Sequence, residues 1–132
     1  MKKFIPLLIS IGMLSGCVAT NPTNLNEAIS VKPLAQAEKT TESSVKITVV
    51  RDYGSLMGAF NTYYVKDNGK EVARLEPKEV TTFYTTPGKH RIACDWFSGI
   101  GYEHFSNFQP NEEAVYHCGV LNPYTGYIKR VE

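Results

Sequence analysis

Val45-Lys46-Ile47-Thr48-Val49-Val50-Arg51 is the stretch on which the fold is read. Apolar and polar residues alternate along it, which is the two-residue period of a strand with one face in a core. Working outward, Phe60 to Lys66 is rich in Tyr, Thr and Val, and Asp67-Asn68-Gly69 follows it. Asn and Gly tolerate positive φ, so this is hairpin-turn chemistry, and Lys70 to Leu75 is the returning strand, stopped before Pro77. Glu79 to Thr85 is a further strand, closed by the Pro87-Gly88 turn signal. His90 to Phe97 continues, with Ile92, Cys94 and Trp96 on one face and Arg91 and Asp95 on the other. Ala114 to Leu121 and Tyr127 to Val131 complete the set, joined by Asn122-Pro123-Tyr124-Thr125-Gly126. About seven short strands with turns every 8 to 12 residues is the pattern of a sandwich or barrel. The expectation is an all-β domain over residues 45–132, a single small β-sandwich.

Upstream of the strands lies Leu14-Ser15-Gly16-Cys17, which looks like a lipobox, the site where bacteria lipidate a cysteine and cut before it. Lys2 and Lys3 form a positive n-region and Phe4 to Leu14 an apolar core of about 11 residues, the size of a signal-peptide h-region. A membrane-crossing helix needs roughly 20 apolar residues, and Thr20-Asn21-Pro22-Thr23-Asn24 ends the run first. Cys17 supplies the thiol for lipid; the alternative is an ordinary secretory leader cut near Gly16. More than one acyl chain is needed for stable anchoring, and lipoproteins of this type resemble one another in carrying two or three. Residues 1–16 are thus read as leader and residues 17–44 as the lipidated cysteine plus a flexible tether. Asn, Thr, Ser, Glu, Lys, Ala and Pro dominate that tether, and it has no aromatic residue. Such a stretch buries too little apolar surface to offset its ordering entropy. By resemblance to the sorting rules of enteric bacteria, Val18 in place of Asp favours the outer membrane. In a host with one membrane the same anchor places the protein on its outer face.

Without the leader the chain has 116 residues, with 12 basic against 13 acidic side chains. That balance gives no electrostatic footprint for nucleic acid. Of three cysteines, lipid takes one, and Cys94 and Cys118 remain for an oxidising compartment where disulfides persist. Joining them closes a loop of about 25 residues, for which chain entropy gives roughly 3 kcal/mol. A redox or metal pair is the alternative, but the spacing is unlike Cys-x-x-Cys.

Two segments carry a family resemblance. Tyr64-Val65-Lys66-Asp67-Asn68-Gly69-Lys70-Glu71-Val72-Ala73-Arg74-Leu75 resembles the strand, Asp-Gly turn and strand of a family of small bacterial lipoproteins known only as a domain of unknown function. Phe83-Tyr84-Thr85-Thr86-Pro87-Gly88-Lys89-His90-Arg91-Ile92 is similar to that family's second signature, an aromatic strand entering Pro-Gly-Lys-His. Arg51, Gly54 and Gly58 fit the glycine-bearing segment before the core. PEGA-type surface domains share this turn-and-strand logic. The resemblance covers about residues 47 to 95 and implies an immunoglobulin- or PEGA-like sandwich on a lipid tether; it brings no catalytic residues.

Site chemistry is sparse. His90, His104 and His117 lack the short spacing of a preformed metal site, and His117 is expected on the face opposite Cys118. Ser98 and Ser106 lack an elbow such as Gly-x-Ser-x-Gly. Asp95, Glu103, Glu112 and Glu113 could pair as acid and base, yet carboxylate pairs are common on solvated faces. No enzyme, cofactor or metal is expected. The most informative stretch is Trp96-Phe97-Ser98-Gly99-Ile100-Gly101-Tyr102-Glu103-His104-Phe105-Ser106-Asn107-Phe108. Read as a loop or short hairpin, it presents Trp96, Phe97, Tyr102, Phe105 and Phe108 to a partner or a sugar, since aromatics are enriched at interface hot spots. The alternative is that these rings pack the end of the sandwich. Asp52 to Phe60 is a second candidate surface, and Tyr124 with Tyr127 a third. Three function classes follow: an envelope lipoprotein that binds a protein partner, one that grips glycan or peptidoglycan, and a small envelope hydrolase. The first agrees best with composition, tether and sparse site motifs.

Overall fold

The structure, a computed structural model, describes residues 19–53, 62–96, 100–122 and 125–132, with the side chains of residues 96, 100, 101 and 122 left aside. The leader, Cys17, Phe97, Ser98, Tyr124 and most of the Asp52 to Phe60 surface lie outside the described residues. Nine strands are present among those described: β1 (Ile29–Ser30), β2 (Val45–Arg51), β3 (Tyr63–Asp67), β4 (Lys70–Leu75), β5 (Glu79–Thr85), β6 (Gly88–Trp96), β7 (Ile100–Phe108), β8 (Glu113–Asn122) and β9 (Thr125–Arg130). They form a five-stranded sheet, ordered β1-β5-β2-β8-β9, and a four-stranded sheet, ordered β4-β3-β6-β7. The fold is the expected all-β sandwich, with two strands more than the sequence pattern shows.

The alternation in β2 works as read. Val45, Ile47 and Val49 are fully buried, while Thr48 on the other face meets Thr82 of β5 at 3.2 Å. Phe83, Val65, Leu75, Ile92, Phe108 and Tyr116 fill the space between the sheets. Burying each such side chain contributes about 1.5 to 3 kcal/mol. Asn68 and Gly69 have φ of 49° and 83°, the left-handed pair that a two-residue hairpin turn requires. A register shift after Val65 lets the consecutive Val72 and Ala73 both be buried, as a β-bulge does. Cys94 of β6 and Cys118 of β8 are disulfide-bonded with Cα atoms 6.4 Å apart, so the bridge ties one sheet to the other.

The two added strands correct the sequence reading. β7 pairs with β6 along its whole length, from Gly88 opposite Phe108 to Trp96 opposite Ile100. From Ile100 to Phe108 the aromatic stretch is therefore a full strand of a hairpin longer than the loop or short hairpin expected. β1 pairs in parallel with β5, Ile29 opposite Glu79, and belongs to the segment expected as a free coil. From Thr20 onward that segment is laid on the sandwich. Thr20 N donates to Val120 O (2.9 Å), Asn21 N to Tyr53 O (2.6 Å), Val31 N to Val80 O (2.9 Å) and Leu34 N to Val72 O (2.8 Å), and Tyr84 N donates to Gln36 O (2.8 Å). Val31 and Ala35 pack against the core. A polar segment is ordered here because its main chain satisfies sheet edges, which needs few apolar side chains. We call it the strap; it closes the side where β4 and β5 meet.

The ends of the sandwich differ. β2 starts opposite Thr85 and Glu113 and finishes opposite Cys118. The strap crosses the finishing end from Thr20 to Ile29, then runs along the edge to Gln36 near the starting end.

Candidate functional site

A concavity of about 510 Å³ opens at the starting end, lined by Asn68, Lys89, His90, Arg91, Phe105, Ser106 and Asn107. β6 and β7 place its walls by register, with Phe105 opposite Arg91 and Asn107 opposite Lys89. Phe105 is 70% exposed, because alternation along β7 turns it outward together with Glu103 and Asn107. Arg91 Nη1 lies 3.6 Å from Glu103 Oε1, both half exposed, so this pair is a weak, screened one. The β3–β4 turn is clamped to β6 by Asn68 N donating to Arg91 O (3.0 Å) and Arg91 N donating to Asn68 Oδ1 (2.9 Å).

Beneath the groove sits a buried polar centre. His90 Nδ1 is 2.6 Å from Asp67 Oδ1, with both residues buried. Asp67 Oδ2 accepts from Thr85 Oγ1 at 2.5 Å and from Gln36 Nε2 at 3.1 Å. On its other side, His90 Nε2 lies 3.2 Å from the exposed Thr86 hydroxyl. Such a carboxylate–imidazole–hydroxyl order can move a proton off the hydroxyl. It also joins β3, the β5–β6 turn and, through Gln36, the strap. Ser106 is likewise engaged, with its Oγ 2.7 Å from the Tyr116 hydroxyl and 3.1 Å from His104 Nδ1. Burial pushes the Tyr116 hydroxyl above its ordinary pKa.

A second polar centre surrounds Asp52 at the finishing end. Asp52 is 1% exposed. Its Oδ1 accepts from Thr23 N at 2.9 Å and lies 2.7 Å from His117 Nδ1. Its Oδ2 accepts from the Tyr127 hydroxyl, which also meets Thr20 Oγ1 at 2.9 Å. Burial first, then the bond to Asp52, pushes the Tyr127 hydroxyl well up. A methyl group on Gly119 would run into the Thr20 and Tyr127 hydroxyls, so the strap approaches β8 there because the residue is glycine. Neither His–Asp pair was legible in the sequence. Its members stand 23 and 65 residues apart, and no local motif marks them.

Of the five aromatic residues expected to act together, Phe105 lines the groove. Phe108 is buried at 1%, and Tyr102 is half-buried, its ring lying where a Cβ on Gly126 would clash. Phe97 and the Trp96 side chain lie outside the described residues. Asp95 pairs with Lys66 at 2.5 Å and Glu112 with Arg130 at 2.6 Å. Among the described residues no three His, Cys, Asp or Glu side chains group as a metal site. Set against protein-family models, curated proteins and solved structures, the chain matches none.

Proposed function

We propose that this protein is a lipid-anchored, non-catalytic binding module of a bacterial envelope, held through Cys17, of the small-lipoprotein, PEGA-like kind that its segments Tyr64 to Leu75 and Phe83 to Ile92 resemble. In this reading its groove takes an acidic segment of an envelope protein. One observation carries it: a phenyl ring 70% exposed on the wall of a concavity that also carries Lys89 and Arg91 and has no carboxylate among its lining residues. A ring presented this way contributes about 1.5 to 3 kcal/mol when a partner covers it, and the cations select for acidic neighbours. His90 and Asp67 are occupied with structural partners, which supports a role without catalysis. Val18 after the lipidated cysteine supports the outer membrane as the place of work.

The test is photo-crosslinking in intact cells from a reactive amino acid placed at Asn107 of the full, lipidated chain. Capture of a protein is expected, and Phe105→Ala should reduce it roughly tenfold, the equivalent of about 1.4 kcal/mol. Because the ring is exposed, that variant should melt at the temperature of the parent. Capture of lipid alone, or capture indifferent to Phe105, would remove the protein-partner reading. A second reading, glycan binding, draws on the Asn68 and Asn107 amides beside the ring; sedimentation with sacculi that depends on Phe105 would select it.

A further inference from the structure

We infer that the sandwich stands on the bilayer surface by its finishing end, with the groove directed away from the membrane; this rests on the reading of Cys17 as the lipid anchor. Thr20 is pinned to β8 through Val120 and to β9 through Tyr127, and Thr23 to Asp52 and Arg51. Only Val18 and Ala19 separate Thr20 from Cys17. A fully extended chain spans at most about 3.6 Å per residue, so the two Cα atoms are within about 11 Å of each other. A free coil over residues 18–44 would average about 30 Å and leave the domain free to turn. The latch removes most of that reach.

The surface at this end suits a lipid headgroup layer. Among the described residues at this end, Leu25 (41%), Ile29 (58%) and Leu121 (58%) are exposed large apolar side chains, with Glu27 and Glu76 exposed on the same segments. Leu25 lies between the Thr23 latch and the β1–β5 pairing, Ile29 lies beside Lys78, and Leu121 follows Val120. Lys78 holds its ammonium 4.3 Å over the Tyr53 ring, a pair of amphipathic side chains of the kind found where apolar and wet zones meet. The groove lies at the other end of β6. From Lys89 to Trp96 a strand rising about 3.3 Å per residue covers about 23 Å. Anchor and groove are thus held at opposite ends of one rigid body, and the rim and the latch point to the same orientation independently.

The experiment uses full-length lipidated protein in phosphatidylcholine vesicles that carry a nitroxide on the headgroup. A fluorophore is attached through Leu121→Cys in one preparation and Lys89→Cys in another. Quenching should be severalfold stronger at 121 than at 89. Equal quenching, or stronger quenching at 89, would overturn the orientation. Thr20→Val with Tyr127→Phe opens the latch and should shrink the difference between the two positions; an undiminished difference would show that the latch does not orient the domain and would also overturn the inference. The intact mass separates the two ways of failing. An unmodified Cys17 defeats the anchor and everything built on it, whereas a lipidated chain with equal quenching defeats the orientation alone.

Discussion

Asp52 shows how much one carboxylate organises: it receives the Thr23 amide, contacts His117 and accepts from the Tyr127 hydroxyl. Tyr127→Phe removes one of these bonds and should cost about 1 to 2 kcal/mol in urea unfolding. The same tyrosine governs behaviour in alkali. Burial is the largest cause raising the hydroxyls of Tyr63, Tyr116 and Tyr127 above the ordinary 10.0. An acid held more tightly in the folded state contributes fully below its unfolded pKa, and loses that contribution as pH rises through its folded value. Urea midpoints should therefore fall above pH 10.0, and fall less steeply in Tyr127→Phe; a midpoint flat across that range would contradict the assignment. Thr81 is the converse case, a buried hydroxyl with no hydrogen-bond partner among the described residues. Thr81→Val keeps the shape and removes the unmet group, so it should raise stability by about 1 kcal/mol. These residue-scale relations were closed to sequence reading because Asp52 with His117, and Asp67 with His90, meet only once distant strands are in register.

At the scale of elements, legibility followed hydropathy. β2 and β6 were readable because each puts apolar side chains on alternate positions, and β5 because a run of Val, Thr, Phe and Tyr is closed by the Pro87-Gly88 turn signal. β7 was not, since its inward positions include His104 and Ser106 and its outward ones include Phe105. Alternation exists in its geometry but not in its polarity. The same inversion made Phe105 identifiable as an aromatic candidate while hiding that it, and not Tyr102 or Phe108, faces solvent. The strap was missed because its order comes from main-chain bonds to Val80 and Val72, and main-chain groups are the same in every composition. Hydrogen exchange tests this directly. Val31 and Leu34 amides should exchange slowly, with protection reaching that of β5, while the Glu38, Lys39 and Glu42 amides exchange quickly. Uniformly fast exchange from Thr20 to Ser44 would restore the coil.

For the whole molecule, the arrangement is a sandwich with its strap, a disulfide between its sheets, and two polar centres near opposite ends. The central relationship in the larger sheet is the parallel pairing of β2 with β8, Lys46 opposite Glu113 through Arg51 opposite Cys118. A chain ending at residue 112 loses Ala114, Tyr116, Cys118 and Val120 from the core and leaves Cys94 unbridged. It should show no cooperative unfolding transition, and Cys94 should react with alkylating reagent; a sharp melt would refute this view of the sheet. Contacts so far apart in sequence also delay folding, because the loop must close before the pairing rewards it.

That pairing bears on how the protein is made. Synthesis runs from the amino end, so β2 must wait for its central neighbour until Glu113–Asn122 has been joined, more than sixty residues later. A polypeptide in that interval has its larger sheet open along β2 and Cys94 unbridged, so it stays incomplete at the core until residues 113–122 arrive.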